Sequence, residues 1–70
     1  MTDQIQLTVN GETRSFDAGI SVDGLLSVLG LPSERIAVEL NRRVVQRKDW
    51  PERILQDADR VEIVHFVGGG

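Results

Sequence analysis

The sequence predicts an α+β fold in which one main helix packs on one face of a sheet of four to five strands. Three observations lead to this prediction. Short segments alternate apolar and polar residues, which is typical of half-buried strands, and a single segment carries apolar residues at helical spacing. The segments follow in the order β-β-α-β-β-β. One helix can cover only one face of such a sheet, so the other face is left to solvent or to a partner.

The chain opens with a predicted β-hairpin. Ile5, Leu7 and Val9 alternate with polar residues and form the apolar face of the first strand. Asn10-Gly11 follows and predicts a tight turn, because both residues tolerate positive φ. Residues 13–16 then form the returning strand.

The main helix is predicted over residues 22–29. Ser21 is a suitable N-cap, since its hydroxyl can accept a backbone N–H of the first turn. Gly30 stands where a left-handed residue ends many helices, and Pro32 prevents continuation. The apolar face has the spacing i, i+3, i+4 and i+7 and consists of Val22, Leu25, Leu26 and Leu29.

The second half of the chain predicts three more strands. Residues 36–40 alternate and form the third strand, and residues 44–45 form a short fourth strand. Residues 46–56 are irregular, with the start of a short helical turn at residues 49–52. Residues 60–67 form the last strand.

The two faces of the last strand are both partly apolar. Val61 and Ile63 share one face, and Val64 and Phe66 share the other. If the helix covers Val61 and Ile63, then Val64 and Phe66 form an exposed apolar surface of the kind that binds partners. The alternative is that they pack against a neighbouring side chain such as Trp50, which we expect to be a core plug or a lid.

Composition excludes several kinds of function. The 70 residues contain no cysteine, so the chain has no disulfide, no thiol nucleophile and no zinc–cysteine site. One histidine does not allow a convincing Ser-His-Asp set, and the acidic residues lack the spacing of a metal loop. A formal net charge of −3 disfavours nucleic acid as a partner. We expect no catalytic residue and no metal site.

The expected setting is the cytoplasm. The longest apolar runs are only a few residues, so we expect no membrane span, and the N-terminus does not resemble a signal peptide. Arg42, Arg43, Arg47 and Lys48 form a local basic cluster on this acidic chain. The cluster is either a solvated turn or a surface that steers docking onto an acidic partner. For His65 we expect no role in proton transfer.

Three glycines end the sequence. We divide the chain into a domain of residues 1–67 and a flexible tail of Gly68, Gly69 and Gly70. The tail is either a frayed end or a functional terminus. Three extended residues reach about 10 Å, and residues without a Cβ can enter a narrow channel and expose the terminal carboxylate.

Several segments together carry a family resemblance. They are residues 9–11, 21–26, 37–41, 44–50 and 54–63, followed by the terminal Gly69-Gly70. In these segments the chain resembles the ThiS sulfur carriers of thiamin biosynthesis, within the ThiS/MoaD-like group of ubiquitin-like proteins. The resemblance covers nearly the whole chain, and it implies a β-grasp fold with a mixed sheet.

The resemblance also implies a function. An E1-like adenylating enzyme of the ThiF type would use ATP and Mg²⁺ to adenylate the Gly70 carboxylate. A sulfur-relay enzyme would then supply the sulfur of a thiocarboxylate, and a thiazole synthase of the ThiG type would receive it. The carrier itself would be a non-enzymatic protein, monomeric when free, with no stably bound cofactor.

Other functions fit the same fold. The chain could be the small subunit of molybdopterin synthase or another sulfur carrier, a ubiquitin-like modifier, or an interaction module with an inert tail. The Trp50 segment and the short length favour the thiamin type.

Two features depart from the family pattern. Asp57-Ala58-Asp59 stands where Asp-Gly-Asp is common, and Gly68 adds a third glycine before the terminal pair. If position 58 requires positive φ, alanine is strained there by about 1 kcal/mol or more.

Overall fold

The structure, a computed structural model, describes residues 3–66. It contains one five-stranded sheet, one α-helix and a single 3₁₀ turn. In chain order these elements are β1 (Gln4–Val9), β2 (Glu12–Asp17), α1 (Val22–Val28), β3 (Ile36–Leu40), β4 (Arg43–Val45), the 3₁₀ turn (Arg47–Asp49) and β5 (Arg60–His65). The predicted α+β class is confirmed, with five strands and one helix.

The sheet is mixed, and its last strand lies at its centre. The strand order is β2-β1-β5-β3-β4. β1 and β5 are parallel, whereas the β1–β2, β3–β4 and β3–β5 pairs are antiparallel. This is the β-grasp arrangement that the resemblance implies. Because β5 is central, the segment that leads to the C-terminus starts from a strand that is paired on both sides, with β1 and with β3.

The local signals at the hairpin and the helix act as predicted. Asn10 and Gly11 both have positive φ, at 49° and 85°. The Ser21 hydroxyl oxygen accepts the Gly24 N–H at 3.0 Å and caps the helix. The helix ends at Val28, one residue before the predicted end, because Leu29 is the C-cap. Gly30 follows with the expected positive φ of 70°.

The hydrophobic core lies between the helix and one face of the sheet. The helix contributes Val22, Leu25 and Leu26, and each strand except β4 contributes at least one buried side chain. Trp50 and Leu55 close the core from the connection between β4 and β5. The remaining core residues are Leu7, Val9, Phe16, Ile36, Val38, Leu40, Val61 and Ile63. Among residues 3–66, no such cover lies on the opposite face of the sheet, where Val44 and Val64 are exposed, as predicted for this face.

The connection after β4 differs slightly from the prediction. The helical turn begins at Arg47, two residues before the expected start, and the Arg53 N–H still closes a turn onto the Asp49 carbonyl at 2.9 Å. Trp50 is only 3 % exposed, and its indole N–H donates to the Val45 carbonyl at 2.9 Å. Trp50 is therefore a core residue. The last strand, β5, ends at His65 in the described residues. Its predicted end at residue 67 lies outside them.

The turn before β5 holds an alanine in a left-handed conformation. Ala58 has φ of 72°, which confirms that this position requires positive φ. Its N–H donates to the Gln6 carbonyl at 2.7 Å, and the Asp57 carboxylate accepts the Gln6 N–H at 2.8 Å. The turn is thus bonded to β1 on both sides of Gln6, so the backbone cannot relax away from the strained angle.

We expect Ala58→Gly to raise the free energy of unfolding by about 1 kcal/mol, because glycine has no Cβ to clash at positive φ. Urea unfolding measures this change. Ala18→Gly is the matched control. Ala18 does not have positive φ, so the same substitution there should destabilise by about 0.5 kcal/mol through the entropy of the unfolded chain. Destabilisation by both substitutions would show that Ala58 is unstrained.

Candidate functional site

The candidate site is the end of β5 and the surface around it. β5 pairs with β3 over five residues, from Leu40–Val61 to Ile36–His65. The Phe66 N–H extends this contact by donating to the Arg35 carbonyl at 2.8 Å. The strand is therefore held firmly up to Phe66. Val67 and the predicted tail residues Gly68, Gly69 and Gly70 follow Phe66 in the sequence and lie outside the described residues.

Asn10 fixes the other edge of β5. Parallel pairing with β1 covers only Thr8–Arg60 and Val9–Val61, so β1 ends where β5 begins. Beyond that point the Asn10 side chain replaces a strand: its Oδ1 accepts the Ile63 N–H at 2.7 Å, and its Nδ2 donates to the Ile63 carbonyl at 3.3 Å. The sequence predicted Asn10 only as a turn residue. This second role was missed, because it depends on which strand lies beside the turn.

We expect Asn10→Gly to lower the free energy of unfolding by about 1–3 kcal/mol, because it keeps the turn conformation but removes both bonds to Ile63. Asn10→Asp keeps the acceptor and loses the donor, so its effect should be smaller. Thermal unfolding and hydrogen exchange at the Ile63 amide measure the two effects. If both variants protect the Ile63 amide as well as the wild type does, Asn10 does not hold β5.

Val64 and Phe66 are exposed, as predicted. They are 48 % and 59 % exposed, whereas Val61 and Ile63 are buried against the helix side of the sheet. Trp50 lies in the core with Val61 and Ile63, on the other face from Val64. We call Val64 and Phe66 the tail-proximal patch. Within residues 3–66 the patch is the last apolar surface along the chain, and its role in binding a partner stays a prediction.

The residues predicted as a basic cluster are all exposed. The Arg47 guanidinium lies 5.0 Å from the centroid of the Trp50 ring, a cation–π distance. Arg43 and Lys48 line an open groove at the β4 edge of the sheet, and Arg53 lines it as well. Arg53 was missed in the sequence because it lies five positions after Lys48, and the turn between them brings it to the same groove.

Residues 3–66 offer no metal site and no membrane span. Within them, no group of three histidine or acidic side chains could hold a metal ion. No helix in the same range is long and apolar enough to cross a membrane. His65 lies opposite Ile36 on the neighbouring strand and is exposed. What the described residues provide is a rigid strand that presents the C-terminal segment, with an apolar surface beside it.

A small mixed sheet that holds one helix, with its last strand at the centre and leading to the C-terminus, defines a ubiquitin-like β-grasp protein. The crystal structure of a thiamine biosynthesis protein (ThiS) from Geobacter metallireducens has the same fold, with a TM-score of 0.83 and 38 % identity. The match covers 94 % of this chain and 100 % of that one. The ThiS family model matches residues 7–70. The chain therefore belongs to the ThiS family.

Of two similar proteins, one has nearly the length of this chain and the other is much longer. The sulfur carrier protein ThiS of Bacillus subtilis is 36 % identical over 66 residues, which cover 91 % of this chain and 98 % of that protein. A thiazole synthase of Magnetococcus marinus is 42 % identical over 66 residues, which cover 94 % of this chain. The chain spans only 20 % of that thiazole synthase, so it is similar to one part of a longer protein.

Proposed function

We propose that this chain is a sulfur carrier of thiamin biosynthesis that carries sulfur as a thiocarboxylate on Gly70. The observation that carries the proposal is that the family match runs through residue 70 and so includes the terminal glycines. The composition supports it, because a chain without cysteine cannot hold sulfur as its own persulfide. The terminal carbonyl is then the covalent handle that remains.

The chemistry begins with activation of a poor electrophile. A carboxylate oxygen of Gly70 attacks the α-phosphorus of ATP, with Mg²⁺ bound by the ThiF-type adenylating partner, and pyrophosphate leaves. Hydrosulfide delivered by a sulfur-relay enzyme then attacks the carbonyl carbon, displaces AMP and releases a proton, which leaves Gly70 as the thiocarboxylate. Glycine suits this position because no side chain obstructs the approach to the carbonyl.

The described residues have a supporting role in this proposal. β5 is fixed by β3 on one edge and by Asn10 on the other, so the strand that precedes the C-terminal segment is held in place. The tail-proximal patch offers apolar area for the adenylating partner to grip before the glycines enter its active site. Holding the carrier close to its tail lowers the entropy cost of aligning the carboxylate with ATP.

The proposed acceptor of the sulfur is a thiazole synthase. This chain is similar to one part of the Magnetococcus marinus thiazole synthase. That protein therefore contains a part like this carrier within the same polypeptide as a thiazole synthase, which supports the choice of acceptor. Transfer of the sulfur to the growing thiazole and hydrolysis at the carbonyl would return Gly70 to its free carboxylate, ready for another cycle.

Pyrophosphate exchange tests the activation step. A ThiF-type enzyme incubated with ATP, Mg²⁺ and labelled pyrophosphate should move label into ATP only when this chain is present, because only the acyl-adenylate step is reversible in this way. The proposal fails if the enzyme shows no exchange with this chain while it exchanges normally with a known ThiS carrier in a parallel reaction.

A further inference from the structure

The charge of this chain is unevenly distributed. Residues 42–53 contain five of the eight Lys and Arg residues and two of the eleven Asp and Glu residues. The segment therefore carries a formal charge of +3, while the rest of the chain carries −6. A molecule with a strongly polar charge distribution is oriented by the field of a charged partner during approach.

Three of these cations share one open groove beside β4. Arg43, Lys48 and Arg53 line it, together with Val44 and the carboxylates of Asp49 and Glu52. Val44 is 69 % exposed, which gives the groove an apolar contact point among the charges. We call this surface the basic groove. Its mixture of cations, an apolar side chain and two carboxylates is typical of a polar protein–protein contact.

The backbone under the basic groove is fixed in place. The Arg53 carbonyl accepts the Val22 N–H at 2.9 Å, and the Trp50 carbonyl accepts the Asp23 N–H at 3.1 Å. Both bonds tie the segment to the first turn of α1. A surface that is already ordered loses less conformational entropy when a partner binds.

The basic groove reaches the face of the tail-proximal patch through Val44, whereas Arg43 pairs with the buried Leu40 and faces the helix side at the β4 edge. Val44 lies opposite Glu39 of β3, which in turn lies opposite Glu62 of β5. Two strand spacings of about 4.8 Å therefore separate Val44 from β5, where Val64 lies on the same face. An interface of standard size, about 800 Å² on each partner, is wide enough to include both surfaces.

We propose that the basic groove receives an acidic surface of the adenylating partner and accelerates its association with this chain. The inference rests on the proposed function. A protein surface fits better than a nucleic acid, because a protein can place neutral or cationic groups opposite Asp49 and Glu52, whereas a phosphate backbone presents negative charge throughout. The apolar patch would then supply most of the affinity, while the groove sets the rate and the orientation of docking.

The test compares two neutralising double variants with the same change in net charge. One is Arg43→Gln/Arg53→Gln in the basic groove, and the control is Arg14→Gln/Arg60→Gln, at exposed positions outside the groove. Stopped-flow fluorescence measures the association rate constant with a ThiF-type enzyme at low and at physiological salt. We expect the groove variant to associate about tenfold more slowly at low salt and to lose most of the salt dependence.

The control variant should retain most of the rate and the salt dependence. Equal slowing of both variants would show that only net charge matters, and an unchanged rate for the groove variant would show that the groove takes no part; either result overturns the inference. The inference is also overturned if the wild type shows salt-resistant binding of a fluorescent oligonucleotide and the groove variant loses it. Pyrophosphate exchange at saturating carrier separates the two proposals: no exchange with the wild type refutes the proposed function, whereas exchange with an unaltered association rate refutes the groove alone.

Discussion

Deletion of Gly70 is expected to abolish activation of this chain by a ThiF-type enzyme while leaving its fold intact. The deletion moves the terminal carboxylate back by about 3.5 Å, the length of one extended residue. A displacement of about 1 Å can already cost about a hundredfold in rate when two reacting groups must be aligned. Exchange of labelled pyrophosphate into ATP should therefore fall by at least about a hundredfold.

Thermal unfolding provides the control for this deletion. The core of the described residues runs from Leu7 to Ile63, so the midpoint of unfolding should match that of the full chain. Gly70→Ala keeps the length and adds a Cβ, and it should give a smaller loss of exchange than the deletion. Undiminished exchange by the deleted chain would show that the reacting group is not the Gly70 carboxylate.

Phe66→Ser should produce the second large effect, which is a loss of affinity for the adenylating enzyme. The Phe66 ring is 59 % exposed in the free chain, so its removal costs the core little. Aromatic side chains are enriched at interface centres, and truncation of a central one costs about 2 kcal/mol, which is about thirtyfold in Kd. Isothermal titration calorimetry measures the change in Kd.

Val28→Ser is the matched control for Phe66→Ser. Val28 is 66 % exposed on α1, outside the tail-proximal patch, so its replacement should leave Kd within experimental scatter. Both variants should unfold at nearly the wild-type temperature. A large loss of stability in the Phe66 variant would show that the ring is part of the core, and equal affinities for the two variants would remove the patch from the interface.

The local elements could be predicted because each has a local physical cause. Asn10-Gly11 favours positive φ at two consecutive positions, and Ser21 caps a helix whose apolar face repeats at helical spacing. β3 was predicted with its observed bounds because alternation is complete over residues 36–40. The ends of α1 and β4 shifted by one residue, since caps and strand ends depend on hydrogen bonds that periodicity does not encode.

The spatial arrangement was much less accessible from the residues alone. Parallel pairing of β1 and β5 joins residues more than fifty positions apart, and no local pattern reports it. The bonds from Asn10 to Ile63 depend on that pairing, and Arg53 joins Arg43 only because a turn folds the chain back at Trp50. For the site, alternation along β5 correctly predicted that Val64 and Phe66 are exposed, while their function still requires a binding measurement.

The most direct test of the carrier function is the intact mass of the chain after incubation with a ThiF-type enzyme, ATP, Mg²⁺ and a sulfur source. We predict a mass gain equal to the replacement of one oxygen by sulfur, assigned to Gly70 by fragmentation. Without ATP the mass should not change. An unchanged mass, in a reaction where the same enzyme loads a known ThiS carrier, would contradict the carrier function, as would sulfur located anywhere other than at Gly70.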